Sequence, residues 1–350
     1  SDRVIRCRAE VPTAAEEGPQ AVIGRMVRLV QTLPEWDQAE GLAVAATGRV
    51  HGGRVSALNL ATMPGWTDIG LQEELRRQTG RPVTLLNDAD AAALGEARLG
   101  AGQGLRAMMF VTVSTGVGAG VVLDGRLLQS PSGIHADFGY LHAGNGETIE
   151  ALSSGRALEQ WTRQRGGDGG AAQLIRWAAR DSEAAARLDQ AVSALVTGFG
   201  DVRVMMGVED VVIGGGVGLN PEFFERLQGC AQAQPELYRV RLRAAVLGSD
   251  AGLYGAALAT LATWTAYMVV FWIAACREHQ IPSRPLSGLM LLLLAAATLA
   301  ARLGLPVRSG FGQALIDCGW LALFGLVALR LYFSANDRAD IVGRVMAFVP

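Results

Sequence analysis

The sequence contains no lysine, so its 31 strongly basic side chains are all arginines. A P-loop of the form GxxxxGK[ST] is therefore excluded, because that motif needs a lysine to reach the nucleotide phosphates. Charge of either sign is also scarce: charged residues make up 18% of the chain, and the net charge is −2. This charge balance gives no indication of a nucleic-acid-binding surface, and we expect no nucleic-acid partner.

Cysteine is nearly as scarce, with four residues that lie far apart: Cys7, Cys230, Cys276 and Cys318. Because no CxxC pair occurs among them, their spacing indicates neither a zinc finger nor a disulfide framework. A reducing compartment is the expected location.

Hydrophobic residues make up 50% of the chain, and glycine is also plentiful, with 44 residues. Strand-like and helical patterns alternate over residues 1–262, which predicts an α/β domain with helices on the faces of a sheet. The predicted strands are Leu42–Ala46, Pro82–Leu86, Met108–Ser114, Val121–Leu123 and Val211–Ile213. The predicted helices are Ala21–Leu33, Leu71–Thr79, Ala91–Leu99, Ala171–Arg180, Ala184–Gly198 and Pro221–Gln228.

Residues 263–350 have a different character. They contain three apolar stretches, Thr263–Cys276, Leu286–Ala301 and Ala314–Leu329, separated by short arginine-containing segments. The second and third approach the length of about 17–25 residues that spans a bilayer. Aromatic residues lie mostly near the ends of the stretches, as in a membrane-interface belt. We therefore predict an all-α segment with about three transmembrane helices; buried helices of a soluble protein are the alternative.

Asp88 is the first candidate catalytic residue. With Asn87 it follows the predicted strand Pro82–Leu86 and opens an alanine-rich helical pattern. A carboxylate at a strand end beside a cleft can take a proton from a sugar hydroxyl. Asn and Asp are also preferred helix caps, and the local pattern alone leaves both interpretations open.

Two glycine-rich turns are candidates for nucleotide binding. Thr115–Gly120 lies between two strands, and its backbone N–H groups could point at phosphate oxygens, although plain β-hairpins also use glycine. Gly214–Gly216 follows the predicted strand Val211–Ile213, where it would contact a nucleotide or simply connect strand to helix. A carboxylate followed closely by a phosphate-sized turn suggests phosphoryl transfer to a small hydroxyl compound.

Seven segments, taken in order, resemble the ROK family of sugar kinases. They are ATGRVHGGRVSALN (46–59), MPGW (63–66), LLNDADAAALGEA (85–97), VTVSTGVGAGVVLDGRLL (111–128), EALSSGRALE (150–159), VVIGGGVGLNPEFFERL (211–227) and LGSDAGLYGAAL (247–258). Several ordered motifs are more specific than any one of them alone. The resemblance covers residues 1–262 and does not extend into residues 263–350.

The resemblance implies a two-lobed actin-like ATPase fold of the hexokinase and ROK type, with substrate between the lobes. It implies ATP and Mg²⁺ as cofactors, and Asp88 as the base that deprotonates the sugar 6-hydroxyl. The members that phosphorylate N-acetylmannosamine are most similar, so the expected substrate is an N-acylated amino sugar of sialic acid catabolism. The implied sugar contacts are Gly48, Arg49, Asn59, Asn87, Asp137 and Glu150, and the implied nucleotide contacts are Thr115, Gly116, Gly214 and Gly215.

Two family features are not found in the sequence. The family opens with a β-hairpin that carries a DxGxT-like phosphate loop, whereas this chain starts with residues that resemble the strand after that hairpin. We therefore expect a fold without its first hairpin and impaired positioning of the γ-phosphate. The family's zinc cluster is also missing, because Tyr140 stands at the place of the histidine ligand and residues 133–155 contain no cysteine. We expect no metal bound there and no structural zinc.

Three hypotheses for the function follow. The first is a sugar kinase whose domain, residues 1–262, faces the cytoplasm and is attached to the inner membrane by residues 263–350. The second is a catalytically degenerate, membrane-attached module that binds sugar without phosphorylating it. The third is a membrane protein whose function lies in residues 263–350, although those apolar stretches offer little charge for a transport path. The resemblance also implies a homodimer.

Overall fold

The computed structural model describes residues 5, 7–60, 63–134, 136–144 and 146–260. Those from residue 7 onward belong to one compact unit of mixed helices and strands, so the predicted α/β class is confirmed. The helices are α1 (Pro19–Gln31), α2 (Leu71–Thr79), α3 (Asp88–Leu99), α4 (Ile149–Ser153), α5 (Gly155–Gln164), α6 (Gly170–Ala178), α7 (Ser182–Met206) and α8 (Pro221–Gln232). The strands are β1 (Leu42–Ala46), β2 (Arg49–His51), β3 (Arg54–Ser56), β4 (Val83–Asn87), β5 (Ala107–Val113), β6 (Val117–Leu123), β7 (Arg126–Leu127), β8 (Asp210–Gly214) and β9 (Arg241–Ala244). Residues 251–260 are also helical.

The amino-terminal half is built on a short parallel sheet. Strands β1 and β4 pair in register from Leu42 opposite Val83 to Ala46 opposite Asn87, and β2 and β3 form a separate hairpin. Helices α1 and α2 pack beside them over a shared apolar core. Because β1 and β4 are parallel, the residues that follow them emerge at the same edge of the sheet. Among the residues that the structure describes, no strand precedes β1.

The carboxy-terminal half contains a five-stranded sheet in the order β7-β6-β5-β8-β9. Strand β5 is antiparallel to β6 and parallel to β8. Side chains of β5 alternate between the faces of the sheet: Met109 and Val111 pack into the core with helices α4–α8, while Met108 and Phe110 pack on the side of α3. The sheet is thus the middle layer of an α/β/α sandwich.

A buried carboxylate fastens α3 to the rest of this half. Glu96 is fully buried, and its Oε1 accepts hydrogen bonds from the backbone N–H groups of Val246 and Leu247 at 3.0 and 2.8 Å. Its Oε2 accepts one from the N–H of Ala101 at 2.8 Å. One side chain therefore joins helix α3 to the segment that follows β9, and so holds the helix whose first residue is Asp88.

Helix α3 also packs backbone to backbone against the helix of residues 251–260. A Cβ atom added at Gly255 would overlap the carbonyl oxygen of Ala91, and one at Gly95 would overlap the carbonyl oxygen of Ala251. The crossing therefore tolerates no side chain at either glycine, since the clashing atoms are main-chain atoms that cannot move aside.

Replacement of Gly255 tests this close approach. We expect Gly255→Ala to lower the free energy of unfolding of the full chain by about 1–3 kcal/mol or more, because overpacking forces the helices apart. The matched control is Gly229→Ala in α8, where an added Cβ meets nothing within 4 Å. That variant should gain about 0.5–1 kcal/mol from helix propensity. Equal urea midpoints for the two variants would contradict the proposed crossing.

The predicted transmembrane helices, within residues 263–350, lie outside the described residues. In the part of the chain that the structure does describe, no helix combines the length and the apolar character needed to cross a bilayer.

Candidate active site

A cavity of about 420 Å³ opens where the carboxyl ends of β1 and β4 face the turn between β5 and β6. Its walls include Asp88, Thr115 and Gly116, and all six residues predicted to bind sugar: Gly48, Arg49, Asn59, Asn87, Asp137 and Glu150. Predicted sugar contacts up to 102 positions apart in the sequence, from Gly48 to Glu150, are thus brought to one cleft. Concave sites at strand ends of this kind are the usual places for small-molecule binding.

The pairing of β1 with β4 brings Gly48 beside Asn87. The Asn87 Nδ2 donates a hydrogen bond to the Gly48 carbonyl oxygen at 2.9 Å. Gly48 has a φ of 95°, and a Cβ there would stand 2.6 Å from the Ser56 carbonyl oxygen. Only glycine suits this position, because both the backbone conformation and the space exclude a side chain.

Asp88 is the first residue of α3, and Asn87 is its N-cap. The Asn87 Oδ1 accepts hydrogen bonds from the N–H groups of Ala89 and Asp90, at 2.8 and 3.1 Å. Asn87 is therefore the helix cap, a role that the sequence alone could not assign to either Asn87 or Asp88. The Asp88 Oδ1 accepts a hydrogen bond from the Ala89 N–H at 2.8 Å. The Thr47 hydroxyl lies near this carboxylate and acts to lower its pKa.

The environment of Asp88 favours a proton acceptor. The side chain is open toward the cleft, but the cleft walls enclose it on the other sides. This partial desolvation raises the pKa of Asp88 above its ordinary value, although hydrogen bonds from Ala89 and Thr47 act in the opposite direction. A carboxylate with a raised pKa holds a proton more readily, which is what a general base needs in order to accept one.

The turn between β5 and β6 has two backbone N–H groups without partners among the described residues, those of Thr115 and Gly116. Its carbonyl groups are engaged: Ser114 O accepts from the N–H of Gly155 at 2.7 Å, and Thr115 O accepts from that of Arg156 at 3.2 Å. Adjacent free N–H groups in a glycine-containing turn form a cradle for an anion. The hairpin and the phosphate-cradle interpretations of this turn are therefore compatible.

Glu150 supports that turn directly. Its Oε2 accepts a hydrogen bond from the Val117 N–H at 2.9 Å. A Cβ added at Gly116 would lie 2.8 Å from the same oxygen, so a side chain there would push the carboxylate away from Val117. Glu150, predicted as a sugar contact, is thus also a support of the glycine turn.

A single 3₁₀ turn, Phe138–Tyr140, lies on the cavity wall. Asp137 precedes it, and Tyr140 is its last residue. The Tyr140 side chain is partly exposed. Desolvation raises the pKa of Tyr140; the carboxylates of Glu150 and Asp137 add to this effect, and the Arg156 guanidinium opposes it. The phenol is therefore neutral at physiological pH and can donate a hydrogen bond.

Gly214 and Gly215 lie outside the walls of this cavity. Gly214 ends β8 opposite Thr112 of β5, and Gly215 follows the strand. Gly215 has a φ of 82°, and a Cβ there would overlap the Val113 carbonyl oxygen. Their place at the strand end next to the glycine turn is compatible with the predicted nucleotide contact, which stays a prediction.

In the part of the chain that the structure describes, no group of three or more His, Cys, Asp and Glu side chains could hold a metal ion. Mg²⁺ bound with a nucleotide needs no such cluster, because it keeps several waters and takes one or two carboxylates together with phosphate oxygens.

Sequence reasoning missed several residues of the cavity. They are Thr47, which lies near Asp88, and Asp90 and Arg156. Thr47 stands next to the predicted site residue Gly48, and that adjacency was the available signal. Arg156 begins a helix, α5, that the sequence did not predict.

The chain has two α/β halves. A carboxylate lies at the strand ends of one half, and a glycine turn lies on the other. This arrangement is that of the actin-like sugar-kinase class of fold. The sequence profile of the ROK family matches residues 1–262. The chain belongs to the ROK family, as its motifs predicted.

Relatives and solved structures agree with this assignment. The chain is 36% identical to an N-acetylmannosamine kinase of Citrobacter koseri over 267 residues, which covers 73% of this chain and 91% of the relative. An N-acetylmannosamine kinase of Salmonella typhi is 34% identical, with 72% and 89% covered. The crystal structure of a ROK hexokinase from Thermus thermophilus superposes with a TM-score of 0.59 at 33% identity, covering 71% of this chain and 88% of that one.

A further solved structure shows ligands. It is a ROK family glucokinase from Streptomyces griseus in complex with glucose and AMPPNP, with a TM-score of 0.58 at 27% identity. The superposition covers 70% of this chain and 88% of that chain.

Proposed function

We propose that the chain is an ATP-dependent kinase that phosphorylates the 6-hydroxyl of an N-acylated amino sugar, with Asp88 as the general base. The observation that carries the proposal is the shared cavity: it unites a carboxylate of raised pKa with a turn whose two N–H groups have no partner among the described residues. A hydroxyl nucleophile and a phosphoryl group could meet there, and positioning with charge stabilisation supplies most of the catalysis of phosphoryl transfer.

N-acetylmannosamine is the proposed substrate. The support is the name of the relatives that share 34–36% identity with this chain. The cavity walls fit a small polyol, since Asn59, Asn87, Asp137 and Glu150 offer amide and carboxylate groups to hydroxyls. The volume of about 420 Å³ is of the size of small-molecule pockets.

The proposed reaction assigns one task to each group. The Asp88 carboxylate accepts the proton of the sugar 6-hydroxyl as the oxygen attacks the γ-phosphorus, so a new O–P bond forms while the P–O bond to ADP breaks. The N–H groups of Thr115 and Gly116 hold phosphoryl oxygens, where fixed donors stabilise developing charge. Mg²⁺ with the nucleotide would neutralise phosphate charge, and Asp88 and Asp90 are the cavity carboxylates that could approach it through water.

An assay of ADP release from the full chain with Mg-ATP tests the proposal. We expect turnover with N-acetylmannosamine at a kcat/KM at least about tenfold above that with glucose. The two sugars differ at C2 in substituent and configuration, and a difference of this size at one position is worth at least a factor of this order. Sugar binding by calorimetry without any turnover would contradict the kinase function and would favour the degenerate sugar-binding module instead.

The raised pKa of Asp88 predicts the pH dependence of that activity. Only the ionised carboxylate can accept the proton, so kcat should fall on the acid side as pH drops through the pKa of Asp88. Because the cleft raises this pKa above the ordinary value of 3.8, the acid limb should lie at a higher pH than for a solvated aspartate. A pH profile of kcat with saturating substrates measures it. A limb at 3.8 or below would contradict the assignment.

Membrane attachment through residues 263–350 and dimer formation stay predictions. We propose that the tail anchors the kinase domain at the inner membrane, on the strength of its three apolar stretches. Release of the full chain by carbonate washing of membranes would argue against insertion, and light scattering in mild detergent would give the number of subunits.

A further inference from the structure

Arg156 is a cation of the cleft to which the functional assignment above gives no task. It is the second residue of α5, and it lines the cavity together with Thr115 and Gly116. Its backbone N–H donates to the Thr115 carbonyl oxygen at 3.2 Å, and the neighbouring N–H of Gly155 donates to Ser114 O at 2.7 Å. These bonds fix the base of the side chain against the glycine turn.

The guanidinium of Arg156 is not neutralised by its neighbours. Within the described part of the chain it forms neither an ion pair nor a side-chain hydrogen bond, although the cavity walls carry carboxylates. The nearest of these carboxylates in sequence is Glu150, whose Oε2 instead accepts a hydrogen bond from the Val117 N–H. The field of the guanidinium nevertheless reaches the cavity, because it acts on the Tyr140 phenol.

The charges of the cavity single out this residue. Four carboxylates line it, Asp88, Asp90, Asp137 and Glu150, against two cations, Arg49 and Arg156. An anionic phosphate chain entering such a cleft needs positive charge near the turn that receives it, since like charges repel strongly at short range. Arg49 belongs to β2 in the other half, which leaves Arg156 as the cation attached to the turn.

We propose that Arg156 binds phosphoryl oxygens of the nucleotide and completes the cradle formed by the N–H groups of Thr115 and Gly116. Arginine suits this role because its planar guanidinium donates two parallel hydrogen bonds to phosphate oxygens. Since the chain has no lysine, a strongly basic side chain that binds phosphate here has to be an arginine. The inference rests on the proposed kinase function and adds a phosphate-binding residue to it.

The test compares Arg156→Gln with Arg156→Lys and with the control Arg163→Gln. Arg163 lies two turns further along α5, is paired with Glu159 and does not line the cavity. For each full-length variant, KM for Mg-ATP, KM for the sugar and kcat are measured, together with the Kd of Mg-ADP by calorimetry.

We expect Arg156→Gln to weaken Mg-ADP binding and to lower kcat/KM for Mg-ATP by about tenfold or more, as loss of a charge-assisted bond to phosphate should. The KM for the sugar should stay within about twofold. Arg156→Lys should recover part of the loss, because it restores the charge without the paired donors. Arg163→Gln should behave as the parent protein.

Two results would overturn the inference. A rise in the KM for the sugar with unchanged nucleotide constants would assign Arg156 to the sugar, and unchanged constants throughout would make it a solvated surface residue. Failure of the kinase proposal can be told apart from failure of this inference. If the parent protein binds Mg-ADP but shows no turnover, Arg156→Gln should still weaken Mg-ADP binding in calorimetry.

Discussion

Asp88→Asn should abolish nearly all sugar phosphorylation, with kcat reduced by about 10²–10⁴-fold, the range contributed by general acid–base catalysis. The amide has the same shape as the carboxylate but cannot accept the proton. Substrate binding should persist, because Asn59, Glu150 and the glycine turn remain in place. Asp201→Asn on α7 is the matched control, since Asp201 is exposed and lies outside the cavity.

The same variant should fold at least as stably as the parent protein. A folded-state pKa above the unfolded value means that the ionised Asp88 costs stability at neutral pH, and that this cost disappears as the pH falls below both values. An uncharged amide removes the cost, as expected where activity and stability compete. A variant that is both inactive and markedly less stable at pH 7 would point to a structural role for Asp88 and would contradict its assignment as the base.

Glu96→Ala should be the most destabilising single side-chain deletion proposed here. It removes the acceptor of three backbone N–H groups, those of Ala101, Val246 and Leu247. Leaving a buried donor unsatisfied costs about 1–3 kcal/mol each, and partial access of water lowers the sum, so we expect a loss on the order of 3–5 kcal/mol. Urea denaturation of the full chain measures it.

Two further variants define the cause of that loss. Glu96→Gln keeps one acceptor oxygen but turns a donor toward a donor, so its loss should fall between those of Glu96→Ala and the parent. Glu225→Ala removes an exposed glutamate of α8 and should change stability by less than about 0.5 kcal/mol. A Glu96→Ala variant as stable as the Glu225→Ala variant would show that the three bonds contribute nothing.

Secondary structure was most predictable where local chemistry decides it. Both ends of α2 agree with the prediction. The carboxyl end is set by Gly80, which adopts a left-handed conformation with a φ of 68° and ends the helix. Both ends of β1 also agree. The turn Asp124-Gly125, with both φ values positive, connects β6 to β7, as is typical of an Asp-Gly pair in a two-residue hairpin.

Predictions failed where distant contacts decide the structure. Helix α7 was predicted to end at Gly198 but continues to Met206. Gly198 is kept inside the helix because a Cβ there would press on Ile149 and Phe138, at 2.6 and 2.8 Å. Strand β6 begins at Val117, four residues before the prediction, and its glycines let Ala89 and Ala93 of α3 pack closely.

The short, polar elements were missed altogether, namely β2, β3, β9, α4 and α5. Arg156 was missed with them, since a residue on an unpredicted helix cannot be placed beside a turn 40 residues earlier. The hydrogen bond from Val117 to Glu150 could not be predicted from the sequence either, because it joins residues 33 positions apart. The motifs named residues that line one cavity, and the structure supplied the hydrogen bonds between them.

That bond has a consequence for the order and strength of ligand binding. Under the proposed function, one oxygen of Glu150 orients the turn that receives the phosphates while the same carboxylate faces the sugar. Any ligand that shifts Glu150 then changes the geometry offered to the other ligand. Thermodynamic reciprocity requires that the sugar strengthen nucleotide binding by the same factor by which the nucleotide strengthens sugar binding. The two substrates would thus act as mutual effectors across a single hydrogen bond.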